Sequence, residues 1–326
     1  MPADPYIPHS GDRQTTTVLL STHNRARSLE ATLEQLACQR AVETQWHVVA
    51  VDNASTDDTA NVLARFARDS RLHLEALHEP RPGKSRALNR ALDRIGSDLV
   101  VFIDDDVDLP PDWLQAYVDA VARWPDYAIF GGPVVPVFPD DAPDWVQDER
   151  YVHQSPMFAR YAPRLAEGTT TDNPLGPNMA IRRAAIGDRR FDVRFGPGGD
   201  AGVMGCETEF QRRLAAVGYT PFVYVPQASA FHHVRAEQLT LDAVWARAYK
   251  WGRSMALTHG GKRRGIYVRG VPLRYWSGAL RAWLRFVPFL WGPQHFRLKY
   301  GWQWQVRCGR LRGYLDSRAD ASGSNE

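Results

Sequence analysis

Short apolar segments alternate with amphipathic ones over residues 15–106. Three runs, at 18–20, 48–51 and 99–103, are continuously apolar, and 72–77 alternates, so all four predict strands. Apolar residues at helical spacing fill the intervals between them: Leu29, Leu33 and Leu36; Val62, Leu63 and Phe66; Ala87, Leu88, Ala91, Leu92 and Ile95. Buried strands that alternate with helices of about three turns predict an α/β fold, whose mostly parallel sheet is covered by helices on both faces.

Polar residues follow each predicted strand. They are Ser-Thr-His-Asn-Arg at 21–25, Asp-Asn-Ala-Ser-Thr-Asp at 52–57, Pro-Gly-Lys at 82–84 and three Asp residues at 104–106. The carboxyl ends of parallel strands share one edge of the sheet, and ligands bind there. The first turn has neither GxGxxG nor a P-loop, which counts against a dinucleotide or Walker-type site.

The Asp run at 104–106 is a candidate metal site. Adjacent carboxylates raise one another's pKa unless a cation neutralises them. Asp104 and Asp106 are two residues apart at a strand end and therefore point to the same side. They could hold Mg²⁺ or Mn²⁺, which take oxygen ligands and leave positions for substrate phosphates. The alternative is a solvated acidic turn that caps the next helix.

Asp52 and Lys84 are candidate nucleotide contacts. Asp52 follows a strand, as does the acidic residue that binds ribose in other nucleotide sites, although it could simply close a turn. Lys84 stands beside Gly83 at a helix start, where the ammonium and the helix dipole both favour a phosphate. By spacing alone, an ordinary surface lysine fits equally well.

Taken in order, these motifs resemble family 2 glycosyltransferases of the GT-A fold over about residues 15–260; Gly-Lys-Ser-Arg-Ala-Leu-Asn at 83–89 and Pro-Pro-Asp-Trp-Leu at 110–114 belong to the same set. The resemblance implies a GT-A-like, Rossmann-type sheet, a UDP-, GDP- or dTDP-sugar donor and inversion at the anomeric carbon. It implies that Asp52 reads the base, Asp104 contacts the ribose or sugar, and Asp106 binds the metal. The full implied donor site is Thr22, Asn24, Arg25, Asp52, Lys84, Asp104 and Asp105.

The second half of the chain extends the resemblance. Gly-Pro-Asn-Met-Ala-Ile-Arg-Arg at 176–183 is similar to the family segment that lines the donor sugar and acceptor, which implies an acceptor pocket with Asn178, Trp113 and Glu209. At 205–210 the chain resembles the family's helix start whose second acid is the catalytic base. Cys206 replaces the first acid here, so the base is Glu207 or Glu209, and we favour Glu207 because it aligns. The alternative role for these acids is to complement the helix dipole.

A His pair at 232–233 follows an apolar run. In the family, a His here completes the metal site or contacts the diphosphate, and we place His232 in that role while His233 stays open. A structural pair is the alternative. Imidazole suits Mn²⁺ better than Mg²⁺.

The expected reaction is a single displacement in which Glu207 takes the proton of an acceptor hydroxyl on a saccharide or a lipid-linked acceptor. Two other functions stay open. A sugar-phosphate nucleotidyltransferase would use a similar sheet and metal, although it usually has a Gly-rich phosphate loop after the first strand. The Cys206 departure also allows a catalytically degenerate nucleotide-binding or membrane-associated scaffold.

The formal net charge of +3 conceals an asymmetry along the chain. Residues 243–315 contain fifteen Lys or Arg, no Asp or Glu, and seven of the eleven Trp, whereas residues 1–242 carry a net charge of −10. Such a split indicates an anionic partner for the carboxyl-terminal segment. Nucleic acid is not expected, because the stretch has no recognisable binding motif.

Residues 273–287 predict a basic amphipathic helix ended by Pro288. One face carries Arg274, Arg281 and Arg285, and the opposite face carries Trp276, Leu280, Trp283 and Val287. One interpretation is an interfacial helix on an anionic membrane, with Trp at headgroup depth. The other is a helix that packs its Trp face on the catalytic domain and leaves its Arg face in water.

Three widely spaced cysteines, Cys38, Cys206 and Cys308, fit a reducing compartment and argue against a disulfide framework or a cysteine zinc site. Neither a secretion signal nor a spanning helix is apparent. We expect a cytoplasmic protein that could be peripheral at the inner face of the membrane. The predicted organisation is a flexible N-terminus at 1–14, a GT-A catalytic domain at 15–242 (nucleotide-binding half 15–106, acceptor half 107–242), a basic Trp-rich helical segment at 243–315 and a disordered tail at 316–326.

Overall fold

The computed structural model describes residues 14–40, 43–148, 157–170, 172–259, 266–269 and 271–323. The predicted flexible N-terminus, except Gln14, and the last three residues of the predicted tail lie outside these ranges. Contacts divide the chain into two units. The first comprises the described residues of Met1–Val137, Ala159–Asp200 and Cys206–His233, and the second those of Phe138–Phe158, Ala201–Gly205 and Val234–Glu326.

The strands of the described residues form three sheets. In chain order they are β1 (Thr15–Thr22), β2 (Gln45–Asp52), β3 (Leu74–His78), β4 (Leu99–Ile103), β5 (Val107–Asp108), β6 (Ile129–Gly131), β7 (Val134–Val137), β8 (Gly168–Thr170), β9 (Asn178–Arg182), β10 (Phe222–Tyr224), β11 (Ala230–His233), β12 (Tyr267–Val268) and β13 (Val271–Pro272). The main sheet has eight strands in the order β3-β2-β1-β4-β9-β6-β10-β8, and a small sheet has the order β5-β11-β7. In the second unit, β12 and β13 pair with each other.

The main sheet is parallel where the sequence predicts it. β1 lies between β2 and β4, parallel to both, and β2 pairs in parallel with β3. β9 and β8 are the antiparallel strands. The register aligns Thr22, Asp52 and His78 across three neighbouring strands. The predicted α/β class with a mostly parallel sheet is therefore confirmed, and the polar strand ends lie at one edge.

Helices flank this sheet. Those of the first unit are α1 (Ala26–Ala37), α2 (Thr59–Phe66), α3 (Lys84–Leu92), α4 (Trp113–Arg123), α5 (Arg183–Ile186) and α6 (Cys206–Ala215). The predicted apolar faces of α1, α2 and α3 are buried in the core, and Ile95, three residues beyond the end of α3, is buried as well. Core strand residues such as Val18, Val48 and Val101 pack with Leu33 of α1 in one cluster. Burial of about 1.5–3 kcal/mol per large apolar side chain makes this cluster the main stabilising element of the unit.

The second unit is helical. It contains α7 (Leu241–His259), α8 (Leu273–Phe286) and α9 (Gln294–Gly323), with 3₁₀ turns at Asp144–Gln147, Ala236–Leu239 and Val287–Phe289. Glycines let α7 and α9 approach closely, because a Cβ on Gly252 would meet the Val306 carbonyl oxygen at 2.1 Å and one on Gly309 the Tyr249 oxygen at 2.0 Å. Among the described residues, no helix is long and apolar enough to cross a membrane.

The carboxyl-terminal region differs from the predicted organisation in two places. Residues 316–323 continue α9 instead of forming a disordered tail. At the start of this stretch, Asp316 forms ion pairs with Arg253 at 2.6 Å and with Arg312 of the preceding turn at 2.7 Å, which ties residue 316 to the helices. The division between units also falls at 233/234, whereas the sequence predicts 242/243. The four-part domain organisation otherwise stays a prediction.

Helix α8 packs through the face that lies between its Arg face and its Trp face, and the sequence pattern did not indicate this face. Its buried residues are Gly278, Ala279, Ala282 and Phe286. Leu280 and Trp283 are 57% and 44% exposed, so the alternative in which the Trp face is packed does not describe these two residues, whereas Trp276 is partly buried against a core cluster. The reason is that small residues on the intermediate face permit closer approach than the bulky face does. The predicted stop at Pro288 is confirmed, since α8 ends at Phe286 and passes into a 3₁₀ turn.

Candidate active site

The acidic turn after β4 meets β11. The donor atoms of Asp104, Asp106 and His232 all lie within 4.8 Å of one another. His232 Nε2 is 3.2 Å from Asp106 Oδ1 and 3.8 Å from Asp104 Oδ2. His233, the next residue of the strand, instead pairs with Asp108 at 2.7 Å and is exposed. Side chains alternate along a strand, so only one of the two histidines joins the acidic turn.

Two carboxylates and an imidazole are a donor set that suits a divalent metal ion. Carboxylate oxygens bind both Mg²⁺ and Mn²⁺, while the imidazole nitrogen favours Mn²⁺. The resemblance implies that Asp106 and His232 bind the metal and Asp104 the ribose or sugar, whereas the spacing alone predicts that Asp104 and Asp106 could hold the metal together. In the structure, Asp104 lies with the metal candidates. The residues present therefore fit a metal ion held by all three.

Arg25, at the start of α1, neutralises the other side of the acidic turn. Its Nη1 donates to Asp105 Oδ1 at 2.7 Å and also to Asp106. Burial raises the pKa of Asp105 to about 6, against the opposing charge of Arg25. Burial also acts on Asp106, but a hydrogen bond from His232 and the charge of Arg25 outweigh it and lower the pKa of Asp106. Arg25 therefore contacts the Asp turn, where it can stabilise the charge of Asp106.

Lys84 joins the acidic turn to α6. Its Nζ lies 2.6 Å from Asp104 Oδ1 and 2.6 Å from Glu207 Oε1. Burial disfavours the ammonium, but the two carboxylates outweigh that effect and raise the pKa of Lys84 well above its ordinary value. Lys84 is thus charged and held between two acids, where the sequence predicts a phosphate contact. A phosphate bound at Lys84 would have to share the ammonium group with Asp104 and Glu207.

Glu207 occupies the first turn of α6 in a tightly packed position. The Cys206 thiol donates to its Oε2 at 3.1 Å, and a Cβ on Gly176 would lie 2.3 Å from its Oε1. Burial raises the pKa of the Cys206 thiol, and the neighbouring Glu207 charge raises it further, so the thiol stays a neutral donor. Burial works against the Glu207 charge, but Lys84 outweighs it and holds the pKa of Glu207 below its usual value. Glu207 is therefore an ionised carboxylate near the acidic turn.

Glu209 does not join this cluster. Both its oxygens accept from Arg213, at 2.8 Å to Nε and 3.0 Å to Nη2. Arg213 also donates to the Arg190 carbonyl. This bidentate pair, within α6, gives Glu209 a structural partner, so the structure does not bring it to the predicted acceptor pocket.

Asn178 and Trp113, also predicted for the acceptor pocket, are fully buried. Asn178 Nδ2 donates to the carbonyls of Pro133 at 2.8 Å and Ala228 at 2.6 Å, and its Oδ1 accepts from Trp113 Nε1 and from the Tyr117 hydroxyl, each at 2.9 Å. Its amide has two donor hydrogens and two acceptor lone pairs. All are used within the protein, so neither side chain lines a sugar pocket in this structure.

The ends of β1, β2 and β3 form the predicted nucleotide edge. Asp52 is buried; its Oδ1 accepts from the Ser55 amide at 3.0 Å, and His78 Nδ1 lies 3.3 Å from its Oδ2. Thr22, also buried, is its partner in register on β1. Asn24, with φ of 52°, accepts the Thr56 amide at 2.7 Å and thereby ties the β1 turn to the β2 turn. Thr22, Asn24 and Asp52 are thus together, although Asn24 is held by backbone contacts.

Sequence reasoning assigned no role to Asn53, which organises this edge. Its side chain is buried and donates to the carbonyls of Glu79 and Arg81, while its Oδ1 accepts the Gly83 amide at 2.7 Å. These bonds position the turn that begins α3 and carries Lys84. The sequence signal that could have identified Asn53 is an amide residue directly after a buried strand. It faces a turn that requires glycine, because Gly83 has φ of 134°.

Comparison with known proteins gives a family for this arrangement. A family model described as Glycosyl transferase family 2 matches residues 17–190, just over half of the chain. The succinoglycan biosynthesis protein ExoM of Rhizobium meliloti is 26% identical over 239 residues, which cover 72% of this chain and 71% of that protein. An undecaprenyl-phosphate 4-deoxy-4-formamido-L-arabinose transferase of Pectobacterium carotovorum is 27% identical over 114 residues, 34% of this chain and 35% of that one.

Solved structures share the fold. A mannosyltransferase of Pyrobaculum calidifontis, in complex with GDP-Man and Mn²⁺, superposes with a TM-score of 0.60 at 20% identity, covering 97% of this chain and 91% of that one. S. aureus TarS 1–349, in complex with UDP-GlcNAc, gives a TM-score of 0.53 at 16% identity, covering 94% and 83%. At these identities the likeness concerns the fold, and it confirms the predicted GT-A-like architecture.

Proposed function

Because the chain belongs to glycosyl transferase family 2, we propose that it is a metal-dependent, inverting glycosyltransferase that moves a sugar from a nucleotide-sugar donor to an acceptor hydroxyl. The observation that carries the proposal is the position of Lys84 between Asp104 and Glu207. It links a candidate base to the Asp104, Asp106 and His232 set. Family membership argues against the nucleotidyltransferase alternative.

The donor is proposed to bind at the edge formed by β1, β2 and β4. Asp52 would accept hydrogen bonds from the base or ribose, next to Thr22 and Asn24. Arg25 would hold Asp105 and Asp106 in place. Asp104, Asp106 and His232 would hold Mn²⁺ or Mg²⁺, which when bound supplies Lewis-acid stabilisation to the diphosphate oxygens. The neighbouring mannosyltransferase structure contains Mn²⁺, and the imidazole donor favours the same ion here.

In the proposed transfer, Glu207 accepts the proton of the acceptor hydroxyl while that oxygen bonds to the anomeric carbon. The bond from that carbon to the diphosphate oxygen breaks on the opposite face, which inverts the configuration. Lys84 keeps Glu207 ionised, so the base is ready before the acceptor arrives. The Cys206 thiol, replacing an acid, donates to Glu207 instead of repelling it. That contact supports an active enzyme, as opposed to a degenerate scaffold.

The test of the base is Glu207→Gln. General-base assistance typically contributes ~10²–10⁴-fold, so we expect kcat to fall by that factor while donor binding, measured by calorimetry, stays unchanged. Glu209→Gln is the matched control, because Glu209 is bound by Arg213 in the same helix. Wild-type turnover by Glu207→Gln, or an equal loss in both variants, would contradict the assignment.

The metal set has its own test. We expect Asp106→Asn and His232→Ala to abolish the Mn²⁺-induced rise in melting temperature that the wild-type chain should give, and His233→Ala to retain it, since His233 pairs with Asp108. Equal Mn²⁺ stabilisation of all three variants would exclude these ligands.

For the acceptor, we propose a saccharide or lipid-linked substrate in polysaccharide or glycolipid biosynthesis. The names of two relatives, one in succinoglycan biosynthesis and one acting on undecaprenyl phosphate, support this class. The proposed location is the cytoplasm, at the inner face of an anionic membrane contacted through residues 243–315. Screening UDP-, GDP- and dTDP-sugars for metal-dependent release of nucleoside diphosphate would identify the donor.

A further inference from the structure

We propose that the second unit binds the phosphate headgroup of an anionic lipid in a cavity between α8 and α9, with the exposed apolar residues of α8 in the acyl layer. The inference narrows the membrane contact proposed above to one binding site. Its test requires no sugar transfer, so its failure and that of the transferase proposal are distinguishable.

The cavity is small and lies between two helices. Its volume is about 250 Å³, and its lining residues are Gly278, Arg281, Ala282, Arg285, Trp302, Gln303, Val306, Arg307 and Arg310. Pockets that bury drug-sized ligands measure about 300–1,000 Å³. A pocket of this volume fits a phosphate headgroup, and its exposed arginines at the rim leave room for the rest of the lipid outside it. Gly278 leaves room for the guanidinium of Arg307, since a Cβ there would lie 2.9 Å from its Nη1.

The lining carries four arginines and no acid. Within the part of the chain that the structure describes, none of Arg281, Arg285, Arg307 and Arg310 has a carboxylate partner. Asp316, an acid of the same helix, already pairs with Arg253 and Arg312. Arg281, Arg285 and Arg307 are exposed and Arg310 is half-buried, so water screens part of their mutual repulsion, and a bound anion would remove the rest. Planar guanidinium groups bind phosphate oxygens in a bidentate manner, so phosphate is the anion class that matches them.

Arg310 shows most directly that the arginines of the cavity lack strong hydrogen-bond acceptors. Its Nη2 donates at 2.9 Å to the sulfur of Met255, a weak acceptor. Its Nε is buried without a hydrogen-bond partner among the described residues. Burial, together with the nearby Arg307 charge, lowers the pKa of Arg310. A buried donor without a partner is costly, and a phosphate oxygen in the cavity would satisfy it.

The apolar face of α8 identifies the source of the phosphate as a lipid. Leu280, Trp283 and Leu284 are 57%, 44% and 56% exposed, and Leu273 is exposed at the start of the helix. At about 100° per residue, Trp283 lies roughly opposite Arg281 and Arg285, and Leu280 and Leu284 lie between Trp283 and these arginines on the side of the helix that is not packed. An exposed row of leucines with a Trp is typical of interfacial helices. A free anion would leave this row without a role.

The test is flotation of the full chain with vesicles of phosphatidylglycerol and phosphatidylcholine. Each arginine near an anionic surface is worth about 1 kcal/mol, which is about fivefold in partitioning. We therefore expect R281Q/R285Q and R307Q/R310Q each to weaken binding about 25-fold. L280Q/L284Q should weaken it at least about tenfold through lost apolar burial. Phosphatidylcholine vesicles should bind little of any variant.

The matched control is R68Q/R164Q, which removes the same charge at two exposed arginines of the first unit. It should bind within about twofold of wild type at physiological salt, because screening limits distant charges. Circular dichroism and melting curves check that every variant folds. Equal losses in the control and in the cavity pairs would overturn the site.

Two further outcomes would overturn the lipid as occupant. In the first, inorganic pyrophosphate binds by calorimetry in an arginine-dependent manner while L280Q/L284Q still floats like wild type, which means a soluble anion. In the second, single-stranded RNA binds more tightly than the vesicles with the same arginine dependence, which means a nucleic-acid surface.

Discussion

At the scale of single residues, the role of a polar side chain depends on which of its atoms the protein already uses. Asn178 resembles a sugar contact in the sequence, yet its amide is fully bonded to Trp113, Tyr117 and two carbonyls. Glu207, in contrast, keeps its carboxylate beside Lys84 near the Asp turn. The family resemblance implies a site role for both residues, but the structure places Asn178 in the core and Glu207 where a base could act.

Asn178→Ala should destabilise the protein strongly. It leaves Trp113 Nε1 and the Ala228 carbonyl without their partner, each at about 1–3 kcal/mol, so we expect a loss of about 2 kcal/mol or more in unfolding free energy, while Tyr117 and the Pro133 carbonyl keep other hydrogen bonds. Denaturant unfolding measures it. Asn61→Ala is the control, because Asn61 is exposed at the surface of α2 and its side chain donates to the exposed Asp58. Similar stability of the two variants would contradict the proposed importance of the buried network.

The choice between Glu207 and Glu209 illustrates what the sequence determines. Two residues apart on a helix differ by about 200°, so only one of the acids can face a given site. Sequence spacing establishes that exclusion. Which of them faces Lys84 depends on how α6 is rotated against the sheet, and that rotation follows from packing of Phe210 and Leu214 in the core. Tertiary packing, which local sequence spacing does not contain, therefore determines which of the two acids faces Lys84.

At the scale of elements, the site depends on how closely the loop before β9 approaches the first turn of α6. Gly176 lies in that loop, and a Cβ there would lie 2.3 Å from Glu207 Oε1 and 2.4 Å from Cδ. Any side chain at 176 must therefore displace the Glu207 carboxylate from its position by Lys84. The glycine is needed for space, because its φ is not in the left-handed region.

Gly176→Ala should lower kcat about 100-fold, since misplacement by about 1 Å can cost that much. Donor binding should change little, and the melting temperature should fall, because the buried Glu207 carboxylate loses its contact with Lys84. Gly168→Ala in β8 is the matched control, with nothing within 4 Å of its Cβ position. A normal kcat for Gly176→Ala would show that the position of Glu207 is not critical.

Predictability also differs between elements. The strands β1, β2 and β4 and helices α1 to α3 follow directly from apolar periodicity, because their faces are buried by neighbours in the same sheet. The packed face of α8 did not follow, since Gly278 and Ala279 carry little hydrophobic signal. Close approach through small residues depends on the partner helix. A sequence pattern alone does not contain that partner.

At the scale of the whole molecule, the family match and the structural units do not coincide. The match covers residues 17–190, whereas the second unit combines 138–158 and 201–205 with the carboxyl-terminal helices. Its core contains Trp145, Met157 and Phe158 together with Val244 and Leu298. Segments far apart in sequence thus bury one another, which explains why the charge boundary at 242/243 is not a folding boundary.

A chain that ends at residue 242, the predicted end of the catalytic domain, should therefore aggregate or melt far below the full chain. It keeps Trp145 and Phe158 but loses Val244, Leu298 and Trp302, which cover them. Exposed clusters of this size promote association. Soluble yield and thermal unfolding measure the effect. Leu298→Ala tests the same core without truncation: this fully buried side chain should cost about 2–5 kcal/mol, while the protein stays soluble. A truncated chain that melts like the full one would mean that the first unit and the 138–158 segment are stable without the carboxyl-terminal helices.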